Sequence, residues 1–373
     1  MNIFGYITLF FALVISSHAI INLLQCIKPA ARTNKQYGLV SILIPARNEA
    51  KVIERCVRSL MAQDYKNIEI IVYNDQSTDA TGSIMDRLAK EDSRIKVMHG
   101  DHLPSGWVGK CHGCHQMSVA AKGKWLLFGD SDIAMTTDAV ARALATAEKH
   151  NVSFLSLFPR FDNYGFWEKA ILPLFYFYLY AFMPIWAINK SKNINFVAAN
   201  GSFILIDRGL YDQIGGHEVV KDKVLEDVLL ARHIKGKGHK IIYGDGSSIY
   251  SAHMYDTLSG IWEGFSKNSF SFFKWDYVLA ISFIVIGLTI CLSPFILTAL
   301  QIGQGSIFFS LESATASIYI VTMAIISLYV RQGPIGIIFF PISLFLSFAV
   351  IINSMYRVAT GKGLTWKGRS YAK

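Results

Sequence analysis

The distribution of apolar residues constrains this chain more than any other feature. One nearly uncharged run extends from about Asn2 to Ile27, and a cluster of runs fills about Tyr277 to Tyr356. The stretch between them carries most of the charge and the turn chemistry. A run of this length can span a bilayer. The expected layout is therefore an anchor with its basic flank (residues 1–35), a polar domain (36–270) and a membrane block (271–373). Composition agrees, since 52% hydrophobic and 17% charged residues are too apolar a balance for an ordinary soluble protein of 373 residues. The competing reading of the first run, a cleaved signal peptide, lacks a basic leading region and a small-x-small cleavage site. Lys28, Arg32 and Lys35 follow it directly. Basic flanks stay in the cytoplasm, so the polar domain is expected there, in a multi-pass protein of the cell (inner) membrane.

The five cysteines form no regular framework and do not suggest disulfides. The net charge of +9 would suit nucleic acid or a membrane surface with anionic ligands. Beside apolar spans the second reading is favoured, and no nucleic-acid partner is expected.

Within the polar domain, Leu39 to Pro45 reads as a buried strand ending in the polar loop ARNEA. Ile68 to Tyr73, Arg94 to Met98 and Trp125 to Phe128 read as further strands. Val52, Ile53, Val57 and Leu60, then Ile84 and Leu88, recur at helical spacing between them. Alternating strands and helices predict a doubly wound, Rossmann-like α/β sheet, whose ligands bind beyond the carboxyl ends of the strands. Two acidic loops fall there. One is Asn74-Asp75-Gln76-Ser77-Thr78-Asp79; the other is Asp130-Ser131-Asp132. Carboxylates one residue apart at a strand end can face one hard cation, Mg²⁺ or Mn²⁺, and leave room for diphosphate oxygens. Taken alone, a D-x-D triplet also occurs in ordinary solvated loops.

The ordered set of motifs resembles family 2 glycosyltransferases of the GT-A fold, over roughly Val40 to Tyr250. SILIPARNEA is similar to the family's opening strand and loop, IIVYNDQSTDAT to its nucleoside-binding strand, FGDSDIA to its D-x-D, and LEDVLLARHIKGKG to its acceptor-side helix. LPSGWVGKCHGCHQ, GIWEGFSKNSF and LTWKGRSY resemble a membrane subgroup that includes carotenoid (diaponeurosporenoate) and hopanoid-associated glycosyltransferases. The resemblance implies a nucleotide-sugar donor (UDP- or GDP-sugar), the hydroxyl or carboxyl of a terpenoid lipid as acceptor, and an inverting, metal-dependent transfer. It places Asp75 at the base or ribose, with Pro45, Glu49 and Asp79 shaping that pocket. Asp132 and Asp130 would hold the metal and diphosphate. Asp227 would be the general base for the acceptor, with Glu226 beside it. Ordinary readings compete: turn chemistry for Pro45 and Asp79, and a favourable helix N-terminus for Glu226 and Asp227. Lys110, after Gly106-Trp107-Val108-Gly109, is expected to meet the diphosphate. Lys267 would add positive charge in a region where processive synthases carry Q-x-x-R-W. Here that region reads Glu263-Gly264-Phe265-Ser266-Lys267-Asn268, which argues against polymerisation. The runner-up acceptors are polyprenyl phosphate or a growing glycan.

Two segments compete for other roles. Cys111-His112-Gly113-Cys114-His115 fits the haem-attachment pattern of an electron carrier, but a cytoplasmic segment that begins a helix argues against it. An inactive nucleotide-binding scaffold is the other non-enzyme reading. Ile171 to Ile188 is apolar and aromatic but interrupted by Pro173 and Pro184, and is expected to lie at the membrane interface. Three candidate spans follow: Tyr277 to Leu300, about Ala314 to Val330, and about Ile335 to Tyr356. Three crossings from the cytoplasm would strand the basic tail (Arg357, Lys362, Lys367, Arg369, Lys373) outside. One run is therefore expected not to cross, with Pro294 and Pro341 marking places to bend back.

Overall fold

The structure, a computed structural model, describes residues 2–305, 310–360, 364–366 and 369–371. It divides into two compact units. A sheet unit holds residues 26–162 and 184–254, and a helical unit holds 1–25, 163–183 and 255–373.

The sheet unit has ten strands: β1 (Val40–Ala46), β2 (Ile68–Asn74), β3 (Ile95–His99), β4 (Trp125–Gly129), β5 (Ile133–Met135), β6 (Phe154–Phe158), β7 (Arg160–Phe161), β8 (Phe203–Asp207), β9 (Ile242–Asp245) and β10 (Tyr250–Ala252). Seven form one sheet in the order β3-β2-β1-β4-β8-β6-β9, and β5-β10-β7 form a second. The first four strands are parallel, in registers such as Val40↔Ile68 and Val40↔Trp125, as the alternation of strands and helices predicts. Near-continuous apolar runs such as VSILIPA suit strands covered on both faces. Helix Ile53–Met61 buries Ile53, Cys56, Val57 and Leu60, and helix Thr81–Glu91 buries Met85 and Leu88. Past β4 the sheet departs from a uniformly parallel one. β8 runs antiparallel to both β4 and β6, so the sheet is mixed.

Among the described residues, the helical unit contains four helices long and apolar enough to cross a membrane: Ile3–Gln25, Tyr277–Gly303, Leu311–Tyr329 and Phe340–Ala359. Residues Gly287–Leu292 of the second form a π-helical stretch just before Pro294. The wider turn absorbs a position that has no N–H to donate. Pro341 does not kink its helix. It lies in the first turn of Phe340–Ala359, where a missing N–H costs nothing, and Ile335–Ile338 is a separate short helix.

The expected boundaries at 35 and 270 are drawn differently by the packing, because residues 163–183 and 255–270 join the apolar helices. The aromatic segment 171–188 divides at Met183–Pro184. Its first part, helix Pro173–Phe182, buries Tyr176, Phe177 and Tyr180 instead of presenting them at a surface. Asn22 Nδ2 donates to the carbonyls of Tyr180 (2.7 Å) and Met183 (2.8 Å), satisfying acceptors that a helix end leaves open.

Candidate functional site

The site is built on the loops after β1, β2 and β4 and on the first turn of helix Glu226–Gly236. The first two loops are laced together. Asn48 N–H donates to Ser77 Oγ (3.0 Å), Thr78 N–H to Asn48 Oδ1 (2.8 Å) and Glu49 N–H to Thr81 Oγ1 (2.7 Å). Asn48 and Gln76 take left-handed backbone with φ near +53° and +54°, which asparagine tolerates because its short amide bonds locally. Arg47 Nη1 donates to the carbonyl of Asp75 (2.6 Å), and the Asp75 side chain is buried at the end of β2.

Asp79 is a structural element of these loops. One oxygen accepts from Thr81 N–H (3.0 Å) and Thr81 Oγ1 (2.5 Å), the other from Ala50 N–H (3.1 Å). Although burial pushes the other way, these bonds hold its carboxyl below the usual value. Pro45 lies in β1 two residues past the last β1–β4 pair, Leu43↔Phe128, so the strand ladder needs no N–H from it.

The second acidic loop is wired differently. Lys110, in the first turn of helix Gly109–Ala120, places Nζ 2.7 Å from Asp130 Oδ1 and 3.0 Å from Glu226 Oε1. Burial disfavours the ammonium, but Asp130, Glu226 and Asp227 together hold it well above its ordinary value. The lysine thus joins the D-x-D loop to the acidic pair, about a hundred residues apart in sequence. Asp132 Oδ1 is buried and has no hydrogen-bond partner among the described residues. Burial pushes its carboxyl up to about 7, with Asp130 and Glu49 adding like charge. The Asp132 carbonyl is held by Arg55 Nη2 (2.8 Å) and His253 N–H (3.1 Å), and Arg55 pairs with Asp162 at 2.8 Å.

Asp227 is oriented by backbone donors: Gly201 N–H to Oδ2 (2.8 Å) and Val228 N–H to Oδ1 (2.8 Å). Burial first, then Glu226, pushes its carboxyl up to about 7 against the pull of Lys110 and these donors. A side chain at Gly201 would displace the flexible end of Lys110. A Cβ there would stand 2.8 Å from Lys110 Nζ and 3.4 Å from both Asp227 Oδ2 and Glu226 Oε1. Sequence reasoning missed this glycine; the only signal is the Asn200-Gly201-Ser202 turn ahead of an apolar strand.

The structure therefore gathers Asp130, Lys110, Glu226 and Asp227, and sets Asp130 and Glu49 within electrostatic reach of Asp132. Lys267 lies on helix Leu258–Asn268 of the helical unit. The C-x-x-C-H segment is a buried helix face: Cys111 Sγ donates to the carbonyls of Val220 (3.4 Å) and Lys223 (3.5 Å), and Cys114 is buried. A partnerless buried carboxylate oxygen beside further acidic groups fits a hard divalent cation. No three acidic, histidine or cysteine side chains among the described residues make a complete protein ligand set.

Residues 41–215 match the family model described as Glycosyl transferase family 2. A 4,4'-diaponeurosporenoate glycosyltransferase of Staphylococcus haemolyticus is 23% identical over 339 residues, 89% of this chain and 88% of that one. A GalNAc(5)-diNAcBac-PP-undecaprenol beta-1,3-glucosyltransferase of Campylobacter jejuni is 32% identical over 111 residues, 30% of this chain and 35% of that one. This chain spans about a third of the length of the relatives with such higher identity. Among solved structures, a mannosyltransferase of Pyrobaculum calidifontis in complex with GDP-Man and Mn²⁺ superposes with a TM-score of 0.56 at 16% identity. The superposition covers 96% of this chain and 100% of that one, and it establishes the GT-A fold.

Proposed function

Because residues 41–215 form a glycosyl transferase family 2 domain, we propose that this protein is an inverting glycosyltransferase that moves a sugar from a nucleotide donor to a lipid acceptor at a membrane. One observation carries the reading: the ion-paired chain Asp130–Lys110–Glu226 ends beside Asp227, a carboxyl held by two backbone N–H groups and raised towards neutral pH. A general base that works near pH 7 needs that poise.

Asp75 and the laced loops after β1 and β2 form the floor for the nucleoside. Asp130 and Asp132 would hold Mg²⁺ or Mn²⁺, which when bound neutralises the diphosphate and favours its departure. The cation's remaining oxygens would come from the donor. Mn²⁺ and GDP-Man accompany the Pyrobaculum enzyme, which supports this class of cofactor and donor. Asp227 accepts the proton of the acceptor hydroxyl or carboxylic acid as that oxygen bonds to the anomeric carbon. The bond from that carbon to the diphosphate breaks in the same displacement, and the configuration inverts. Lys110 keeps positive charge beside the departing diphosphate, and Gly201 N–H keeps the base aimed. The acceptor is proposed to be terpenoid, by the likeness to the diaponeurosporenoate enzyme over most of both chains. The catalytic unit is proposed to be cytoplasmic, with Lys28, Arg32 and Lys35 next to it.

Asp227→Asn tests the assignment. Transfer from a nucleotide-sugar to a membrane lipid extract is expected to fall by roughly 10²–10⁴-fold, while donor binding by calorimetry stays within about twofold. Unchanged turnover in that variant removes Asp227 from the mechanism. Mass spectrometry of lipids from cells with and without the active protein identifies the acceptor, and glycosylated polyprenyl phosphate there would replace the terpenoid.

A further inference from the structure

We infer that the chain crosses the membrane three times and that its last apolar helix, Phe340–Ala359, is re-entrant. Thr360 then leaves the membrane on the side where Gln25 leaves the first helix. The inference rests on reading the apolar helices as membrane-embedded, and it is independent of the transfer chemistry.

The direction of each helix follows from which residues meet. Asn2 Nδ2 donates to Glu312 Oε1, a Cβ on Gly5 would stand 2.9 Å from Leu311 Cβ, and Thr322 Oγ1 donates to Ser16 Oγ at 2.7 Å. These pairings advance together along both helices. Ile3–Gln25 and Leu311–Tyr329 are therefore parallel. Tyr277–Gly303 runs against them: Ser310 Oγ donates to Gln301 Oε1 (2.7 Å), and the rings of Phe295 and Tyr319 lie 6.4 Å apart.

Phe340–Ala359 breaks the alternation. The ring of Phe340 is 5.9 Å from Phe295, that of Phe348 is 6.3 Å from Phe283, and Phe270 N–H donates to Ser354 Oγ at 3.1 Å. Rising along the last helix means descending along Tyr277–Gly303, so the two are antiparallel. The last helix is consequently parallel to Leu311–Tyr329, its immediate predecessor. Two successive helices of the same direction cannot both be crossings unless the chain between them traverses the bilayer as well. Only residues 330–339 lie between them.

Depth agrees with direction. Phe340 meets Phe295 well before the end of its helix at Gly303, roughly 12 Å inside that end at 1.5 Å per residue. From this buried start the helix runs to Arg357, which pairs with Glu263 at 2.7 Å, near the chain that enters Tyr277–Gly303. The return path needs protein around it, because irregular backbone at membrane depth survives only when it is covered. Helices Phe166–Ile171 and Pro173–Phe182, with the residues just before them, supply that cover. Asn163 Nδ2 donates to Gln332 Oε1 (2.7 Å), Ser343 Oγ donates to the Ala170 carbonyl (2.9 Å), and a Cβ on Gly336 would stand 2.7 Å from Pro173 Cγ. Charge supports the same topology independently. Arg357, at the end of the last helix, then shares a side with Lys28, Arg32 and Lys35, and the conflict raised by four crossings disappears.

Single cysteines at Asn34, Gln304 and Thr360, probed with a membrane-impermeant maleimide in sealed vesicles of known orientation, test this directly. The native cysteines are all buried and give a low background. Asn34→Cys and Thr360→Cys are expected to label from one side and Gln304→Cys only from the other. Labelling of Thr360→Cys from the Gln304 side, or of all three from one side, overturns the inference. Protease trimming of the unmodified protein's basic tail is a second readout that needs no substitution, and cleavage only from the Gln304 side overturns it equally. Neither readout involves a donor or turnover, so failure of the proposed reaction leaves both unaffected.

Discussion

The two acidic loops look alike in sequence and differ in what their carboxylates meet. In the loop after β2, Asp79 has both oxygens bonded to nearby backbone and hydroxyl donors, and its pKa is lowered. In the loop after β4, Asp132 keeps a buried oxygen with no partner among the described residues, and its pKa is raised. Asp79 is satisfied by donors in and beside its own loop; Asp132 is buried beside other carboxylates by the surrounding fold. Acidic residues that stabilise the apo protein are poorly placed to bind a cation, and strained ones are well placed.

That contrast can be broken by substitution. Asp132→Asn is expected to lower turnover by roughly 10²–10³-fold and to raise the melting temperature, since it removes a costly buried charge. Equal activity with and without added Mn²⁺ in the wild-type protein would remove the metal from this loop. Asp79→Ala should do the reverse, costing about 1 kcal/mol of stability by thermal melting while activity per folded molecule changes little. If both variants behaved alike, the distinction between the loops would be wrong.

The pH dependence sharpens the same point. Asp227 must be ionised to accept a proton, so the turnover rate should rise tenfold per unit up to about pH 7 and then level. For stability the two loops have opposite signs. Asp132 binds its proton more tightly in the folded state, so its contribution weakens as pH rises from about 4 towards 7. Asp79 contributes fully above the ordinary aspartate range and loses that contribution as pH falls through its lowered value. The smallest effect is expected at Gly201→Ala, where the flexible Lys110 ammonium can yield. A loss of about tenfold in kcat with KM unchanged, and a displaced pH profile, would report a misaimed base. A change in KM alone would assign the glycine to donor binding.

Much of the sheet was legible because its signals are local. Apolar runs such as Ile68–Asn74 and the periodic Ile53, Val57 and Leu60 encode strand and helix in adjacent residues. β8 was missed because its apolar run follows a long excursion through residues 163–183, and its antiparallel direction depends on where that excursion returns. Within the site, Asp130, Asp132 and Asp227 stood out as motif members, and the salt bridges from Lys110 to Asp130 and Glu226 could be found only in three dimensions.

The sequence by itself determined the apolar runs, the first four strands and the loops that carry carboxylates, because hydrophobic periodicity and turn chemistry act over a few residues. The tertiary structure alone decided which carboxylate is satisfied and which is frustrated, that Gly201 abuts the acidic pair, and that residues 163–183 pack among the apolar helices. It also decided that two consecutive apolar helices point the same way. Each of these depends on groups far apart in the chain, whose desolvation and pairing have no value until the fold brings them together.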